Sequence, residues 1–177
     1  MKILIATDIE GIANVWRPEQ TVPGSPDYER ARRWMTAEAS AAVRGACAAG
    51  ATEVWVNDSH GHYANILADE LDPRARLIQG KPRQLGMLAG IEQGIDGVLL
   101  IGWHTRSKSA GALAHSINSF AFSRLWLNDL EIGEIGLYGA LAAERGVPLL
   151  MMSGCERAAE EATNLFPDIA CAIVKWS

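Results

Sequence analysis

Two carboxylates, Asp8 and Glu10, lie two residues apart just beyond the apolar run Lys2–Thr7 (KILIAT). On an extended backbone that spacing points both side chains the same way. The histidines fall in comparable places. His60 and His62 follow the run Glu53–Asn57, His104 follows Gly97–Trp103 (GVLLIGW), and His115 comes eleven residues after His104. Imidazole with carboxylate is ligand chemistry for zinc and other first-row divalent ions. Glu134, within Gly133-Glu134-Ile135-Gly136, offers one more acidic ligand. Two carboxylates, two or three histidines and a further acid suffice for two metals sharing a carboxylate bridge. Such a pair polarises a carbonyl and generates hydroxide from water near neutral pH.

Each of these residues alone has a plainer explanation. An Asp after a first strand commonly serves a turn or a helix cap, and a strand-end His commonly packs or faces solvent. Glu134 would by itself complement a helix N-terminus. The shared site gains weight because three separate strands deliver Asp, Glu or His at one end of a sheet, where ligands of open α/β folds bind. Other motifs are missing: there is no GxGxxG after the first strand, no GxxxxGK[ST] and no GxSxG. Cys155 sits at a strand–helix junction where a thiol can be activated, although a small inert residue is the simpler reading. Arg30, Arg32 and Arg33 read as a solvated helix face, and the six scattered Trp as core and interface.

Strand and helix signals alternate. After Lys2–Thr7, the segment Asp27–Gly50 reads as a long helix, with Tyr28, Ala31, Met35 and Ala39 at helical spacing and Gly50 placed to stop it. Glu53–Asn57 is a strand, Ala64–Leu71 a weaker helix, Ala75–Gln79 a strand, Pro82–Gln93 a helix and Gly97–Trp103 a buried strand. Ser116–Asp129 reads as two extended pieces with Asn128-Asp129 as turn residues. Glu131–Arg145 is helical, Pro148–Met152 a strand, Glu156–Leu165 a helix and Ile169–Lys175 a last strand. Alternation with continuous apolar strands predicts an α/β fold of three layers: a mostly parallel sheet with helices on both faces, plus a small extended hairpin.

The 177 residues suit one domain, residues 1–177. A 49% hydrophobic and 21% charged composition argues against disorder. The net charge of −5 and the lack of a basic face argue against nucleic-acid binding. No run spans a bilayer and no leader is expected. Cys47, Cys155 and Cys171 are odd in number and widely spaced, which fits reduced thiols in the cytoplasm.

Several motifs together resemble the zinc-dependent D-aminopeptidases of the M55 metallopeptidase type. They are Asp8-Ile9-Glu10-Gly11-Ile12, Tyr28-Glu29-Arg30 with Met35-Thr36-Ala37-Glu38, Val56-Asn57-Asp58-Ser59-His60-Gly61, Gly102-Trp103-His104, His115-Ser116, Asn128-Asp129 and Gly133-Glu134-Ile135-Gly136. The resemblance runs from Lys2 to about Lys175. It implies two zinc ions per chain held by Asp8, Glu10, His60, His104 and Glu134, with Asp8 bridging, and a catalytic His115. It also implies a small peptide substrate with an N-terminal D-residue such as D-alanine, and a homo-oligomer, in this family a ring. His62 lies outside the matched set. The family carries an acidic pair where this chain has Cys155-Glu156, and family chains continue beyond the strand matching Ile169–Lys175, so the C-terminal region is expected to be absent here. The alternatives are a non-catalytic zinc-containing assembly subunit and a two-metal hydrolase of another bond.

Overall fold

A computed structural model describes residues 1–177. Eight strands form: β1 (Lys2–Thr7), β2 (Glu53–Asp58), β3 (Ala75–Ile78), β4 (Gly97–Trp103), β5 (Leu125–Leu127), β6 (Leu130–Ile132), β7 (Leu149–Cys155) and β8 (Ala170–Lys175). Three α-helices accompany them: α1 (Pro26–Ala48), α2 (Glu134–Glu144) and α3 (Glu156–Leu165). Six strands make one sheet in the order β3-β2-β1-β4-β7-β8, and every pairing in it is parallel. β5 and β6 form a separate antiparallel hairpin whose turn is Asn128-Asp129, with Asn128 at φ 53°. The fold is therefore the α/β arrangement that the alternation predicts.

α1 begins where the chain supplies both a cap and a fixed φ. Ser25 Oγ accepts the Tyr28 N–H at 3.0 Å, and Pro26 occupies the first turn, where no N–H is needed. Its buried stripe includes Tyr28, Ala31, Met35, Ala39 and Val43, and packs on one face of the sheet with Ile3, Ile5, Val54 and Val56. α2 and α3 cover the other face, where Leu4, Val98, Leu100, Trp103 and Met152 are buried. Trp103 is fully buried; its Nε1–H donates to the Ala6 carbonyl at 2.9 Å and its ring meets Tyr138 edge-on.

Four local expectations are corrected. Ala64–Leu71 and Pro82–Gln93 are not α-helices; only the single 3-10 turns Ala68–Glu70, Gly86–Leu88 and Ile91–Gln93 form. Glycines at 86 and 90 interrupt the second segment, and both adopt positive φ, as does Gly94 just beyond it. Glu131 belongs to β6 rather than to α2, because Trp126 pairs with Glu131 across the hairpin. Ser116–Arg124 makes turns, not a strand.

Strand order reverses at β1: the chain goes from β1 to β2 and β3 on one side and to β4, β7 and β8 on the other. Loops leaving β1 and β4 diverge there, and the crevice between them is where ligands of open α/β sheets bind.

Candidate metal centre

Asp8 follows β1, His60 follows β2 and His104 follows β4, so three adjacent strands bring their side chains to this crevice. The strand ends meet backbone to backbone. The Asp8 N–H donates to the Ile101 carbonyl at 2.8 Å, and the Gly11 N–H to the Gly102 carbonyl at 2.7 Å. A Cβ on Gly11 would stand 2.1 Å from the Trp103 carbonyl oxygen, and one on Gly102, at φ +74°, would stand 2.3 Å from that of Asp8. Only glycine allows this approach.

Asp8 and Glu10 converge, but not as neighbours on an extended strand. β1 ends at Thr7, and residues 9–12 form a turn in which the Ile12 N–H donates to the Ile9 carbonyl. Lys175, at the end of β8, ties that turn down: its ammonium donates to the carbonyls of Glu10, Ile12 and Val15. Glu38 of α1 accepts the Ala13 N–H at 2.8 Å. The β2 loop is held by Asp58, whose carboxylate accepts the backbone N–H of Asn65 and Ile66 and the side-chain amides of Asn65 and Gln79. Asn65 in turn donates to the His60 carbonyl at 2.8 Å. Arg32 leaves the solvated face expected for it, because its Nε donates to the Asn65 carbonyl at 2.7 Å; Arg30 and Arg33 stay exposed.

Each of the three imidazoles has one nitrogen committed to a backbone carbonyl. His104 Nδ1 lies 2.9 Å from the Thr105 oxygen, His115 Nδ1 3.0 Å from that of Leu113, and His60 Nε2 2.8 Å from that of Thr21. A carbonyl only accepts, so each of those nitrogens carries a proton. The other nitrogen faces the carboxylates. His60 Nδ1 is 3.1 Å from Asp8 Oδ1 and 3.0 Å from Glu10 Oε2. His104 Nε2 is 3.4 Å from Asp8 Oδ2 and 3.6 Å from Glu134 Oε1, and His115 Nε2 is 3.8 Å from that same oxygen. The His104 and His115 rings stack with centroids 4.1 Å apart. Glu134 opens α2, and its Oε1 also accepts the Ile117 N–H at 2.6 Å.

Asp8, Glu10, His104 and Glu134 are all buried. Burial raises the Asp8 carboxyl, and the neighbouring Glu10 charge adds to that. Burial also pushes Glu10 upward, yet the His60 charge wins and holds it well below the carboxylate range. Burial opposes the imidazolium of His104, but Glu134, Asp8 and Glu10 outweigh it and lift the group to about 10. His60 rises well above its usual value in the same way, through Glu10 and Asp8. Protonated imidazoles thus supply the positive charge that packed, buried carboxylates require.

The donor set fits a divalent metal. Glu10 Oε2 and His104 Nε2 are buried and make no hydrogen bond of good geometry, although His60 Nδ1 lies 3.0 Å from the former. Ligand atoms of Asp8, Glu10 and His104 lie within 4.8 Å of one another, as do those of His104, His115 and Glu134. His104 belongs to both groups, and the two oxygens of Asp8 face different histidines.

The surrounding cavity, about 500 Å³, is also lined by His62, Tyr63, Lys81, Met87, Phe122 and Tyr138. His62 is exposed. Of this group only His62 drew notice in the sequence as a candidate for chemistry; Tyr63, Lys81 and Phe122 lie on irregular segments, and Tyr138 lies on α2. Cys155 is 1% exposed and is not among the lining residues, which suits an inert packing role. All three cysteines are free. No helix is long and apolar enough to cross a membrane.

A parallel α/β sheet with an acid–imidazole cluster at its switch point has the layout by which open α/β proteins present a ligand site at strand ends. The family model for the M55 peptidases, described as D-aminopeptidase, matches residues 1–177, and the chain belongs to that family. A curated D-aminopeptidase from Bacillus subtilis (strain 168) is 38% identical over 177 residues, covering 99% of this chain and 64% of the relative. A solved structure, described as the Zn-dependent D-aminopeptidase DppA from Bacillus subtilis, a self-compartmentalizing protease, superposes with a TM-score of 0.97 at 36% identity. That match covers 100% of this chain and 64% of the other. The chain therefore spans a little under two thirds of the length of these relatives.

Proposed function

We propose that this chain forms the metal-binding catalytic part of an aminopeptidase that hydrolyses short peptides or amides with an N-terminal D-amino acid such as D-alanine. The observation that carries this reading is the common setting of three imidazoles, each anchored through one nitrogen to a backbone carbonyl and turned through the other toward buried carboxylates. Metal-ligating histidines are oriented in this way. Asp8, Glu10, His60, His104 and Glu134 would hold two zinc ions, and the two oxygens of Asp8, which face different histidines, would let it serve both. Bound zinc supplies Lewis-acid polarisation of a scissile carbonyl and acidifies a water molecule.

The chain's own residues do the rest. His115 keeps its Nδ1 proton on Leu113, so proton exchange occurs at Nε2, where the ring accepts a proton from the attacking water or donates to the oxyanion. Ile117 and Phe122 add an apolar wall to the cavity that His115 lines. The buried acid–imidazole floor favours an amine end, and D-residue preference would rest on the shape of this wall.

Free cysteines fit a cytoplasmic setting. The exposed apolar residues Phe120, Trp126, Leu127 and Leu130 cluster on or near the hairpin and suit a homo-oligomer, including a ring, as does the self-compartmentalizing character of the DppA relative. Metal analysis of gently purified protein should return about two zinc per chain, together with turnover of D-alanyl-D-alanine. Absence of zinc, with no turnover after adding it, would overturn the proposal. Because the chain spans only 64% of its relatives, a second reading is a zinc-stabilised assembly subunit. Thermal stabilisation by zinc without turnover would favour it.

A further inference from the structure

Lys81 is the one Lys or Arg side chain that lines the site cavity. Its ammonium rests over the Tyr63 ring, 4.9 Å from the centroid, and it pairs with no carboxylate. Tyr63 is held at φ 60° and its ring carries the Arg83 guanidinium as well, 4.2 Å from the centroid. Arg83 is otherwise engaged with the Gly80 and Asp58 carbonyls and with Asn57. It therefore fixes the loop, and Lys81 is the cation left to act in the cavity. Lys81 and Tyr63 line the same cavity as Asp8, Glu10 and Glu134.

We infer that Lys81 binds the C-terminal carboxylate of a short peptide and so selects peptides ending one residue beyond the scissile bond. The inference rests on the aminopeptidase reading above and deepens it. An amine held at the acid cluster leaves the next residue one Cα–Cα step, about 3.8 Å, further out. In a dipeptide that residue carries a carboxylate. An exposed, unpaired ammonium at the edge of an acidic cavity complements that charge, and it is the one Lys or Arg side chain on the cavity wall. An ammonium acts as a compact point charge, so it suits a mobile peptide terminus that needs no bidentate geometry.

The test compares D-alanyl-D-alanine with D-alanyl-D-alanine amide on the zinc-loaded full chain. The expected wild-type KM is about tenfold lower for the free acid, which corresponds to about 1.4 kcal/mol. Lys81→Ala should bring the two KM values together through a rise for the acid, Lys81→Arg should restore most of the difference, and Lys81→Glu should reverse it. A difference in KM that stays the same in Lys81→Ala overturns the inference, as does a wild-type enzyme that makes no distinction. Turnover of D-alanine p-nitroanilide separates the two levels. If it is hydrolysed while the Lys81 variants change nothing, only the carboxylate assignment falls. If none of the three compounds is hydrolysed, the aminopeptidase reading falls and takes the assignment with it.

Discussion

Asp8, His60 and His104 hang from the ends of three parallel strands whose backbones are locked into one sheet, whereas His115 hangs from a loop flanked by Leu113 at φ 54° and Ile117 at φ 62°. In the strand-borne group Asp8 and His104 are buried and His60 is partly so, and the strand ends are close-packed down to glycine contacts that exclude a single methyl group. The loop-borne group is partly open, with the His115 side chain 21% exposed against 2% for His104. Positive φ costs a non-glycine residue on the order of 1–3 kcal/mol and is worst for a β-branched one such as Ile117. Glu134 joins the halves: one oxygen faces both His104 and His115 and accepts the Ile117 N–H. The division suggests that the strands fix where metal sits and that the loop, at a cost in backbone strain, fixes where a proton moves.

The sharpest way to break this division is to remove one residue from each side. Asp8→Ala should reduce bound zinc to background and lower turnover by more than about 100-fold, since even support residues behind a metal ligand cost 10–100-fold. His115→Ala should keep its zinc while turnover falls by about 10²–10⁴-fold, the range for a lost proton-transfer group. Metal content measured beside kcat separates the two, and loss of zinc in both variants would erase the distinction.

A smaller effect follows from the charge state of the strand-borne group. With zinc removed by chelation, His104 holds its proton up to a value of about 10 against 6.5 for the free side chain. A raised imidazole stabilises the fold fully below pH 6.5 and loses that contribution as pH climbs toward 10. The Tm of metal-free protein should therefore fall across pH 6.5–10. The zinc-loaded protein should not show this fall, because metal replaces the proton on the ring. Parallel curves with and without chelator would contradict this account.

The smallest effects test packing against strain. Gly102→Ala pushes a Cβ into the Asp8 carbonyl and should cost about 1–3 kcal/mol, read by denaturant unfolding. Ile117→Gly relieves the φ of 62° and should leave stability within about 1 kcal/mol of wild type while lowering kcat, because the His115 loop becomes freer.

Much of this was legible from residue order alone. GVLLIGW predicts β4 with the bounds Gly97–Trp103 that the structure shows, and the spacing of Tyr28, Ala31, Met35 and Ala39 predicts the stripe that α1 buries. Long apolar periods carry enough local signal to survive tertiary context. Asp8, Glu10, His60, His104, His115 and Glu134, all singled out by type and position, do meet in space. The route by which Asp8 and Glu10 converge was not legible, because it depends on a turn pinned by a lysine 165 residues away. Lys81 and Tyr63 were equally silent: they lie in segments without periodicity, where only the folded chain reveals what they face.

That lysine also has a temporal meaning. Lys175 ends β8, the outermost strand beside β7, and reaches back to the turn that presents Glu10. Contacts so distant in sequence close late, after the entropy of the intervening loop has been overcome. During synthesis the acidic turn emerges first, but its clamp emerges with the last strand of the sheet. Until β8 pairs with β7, the turn that presents Glu10 lacks this clamp.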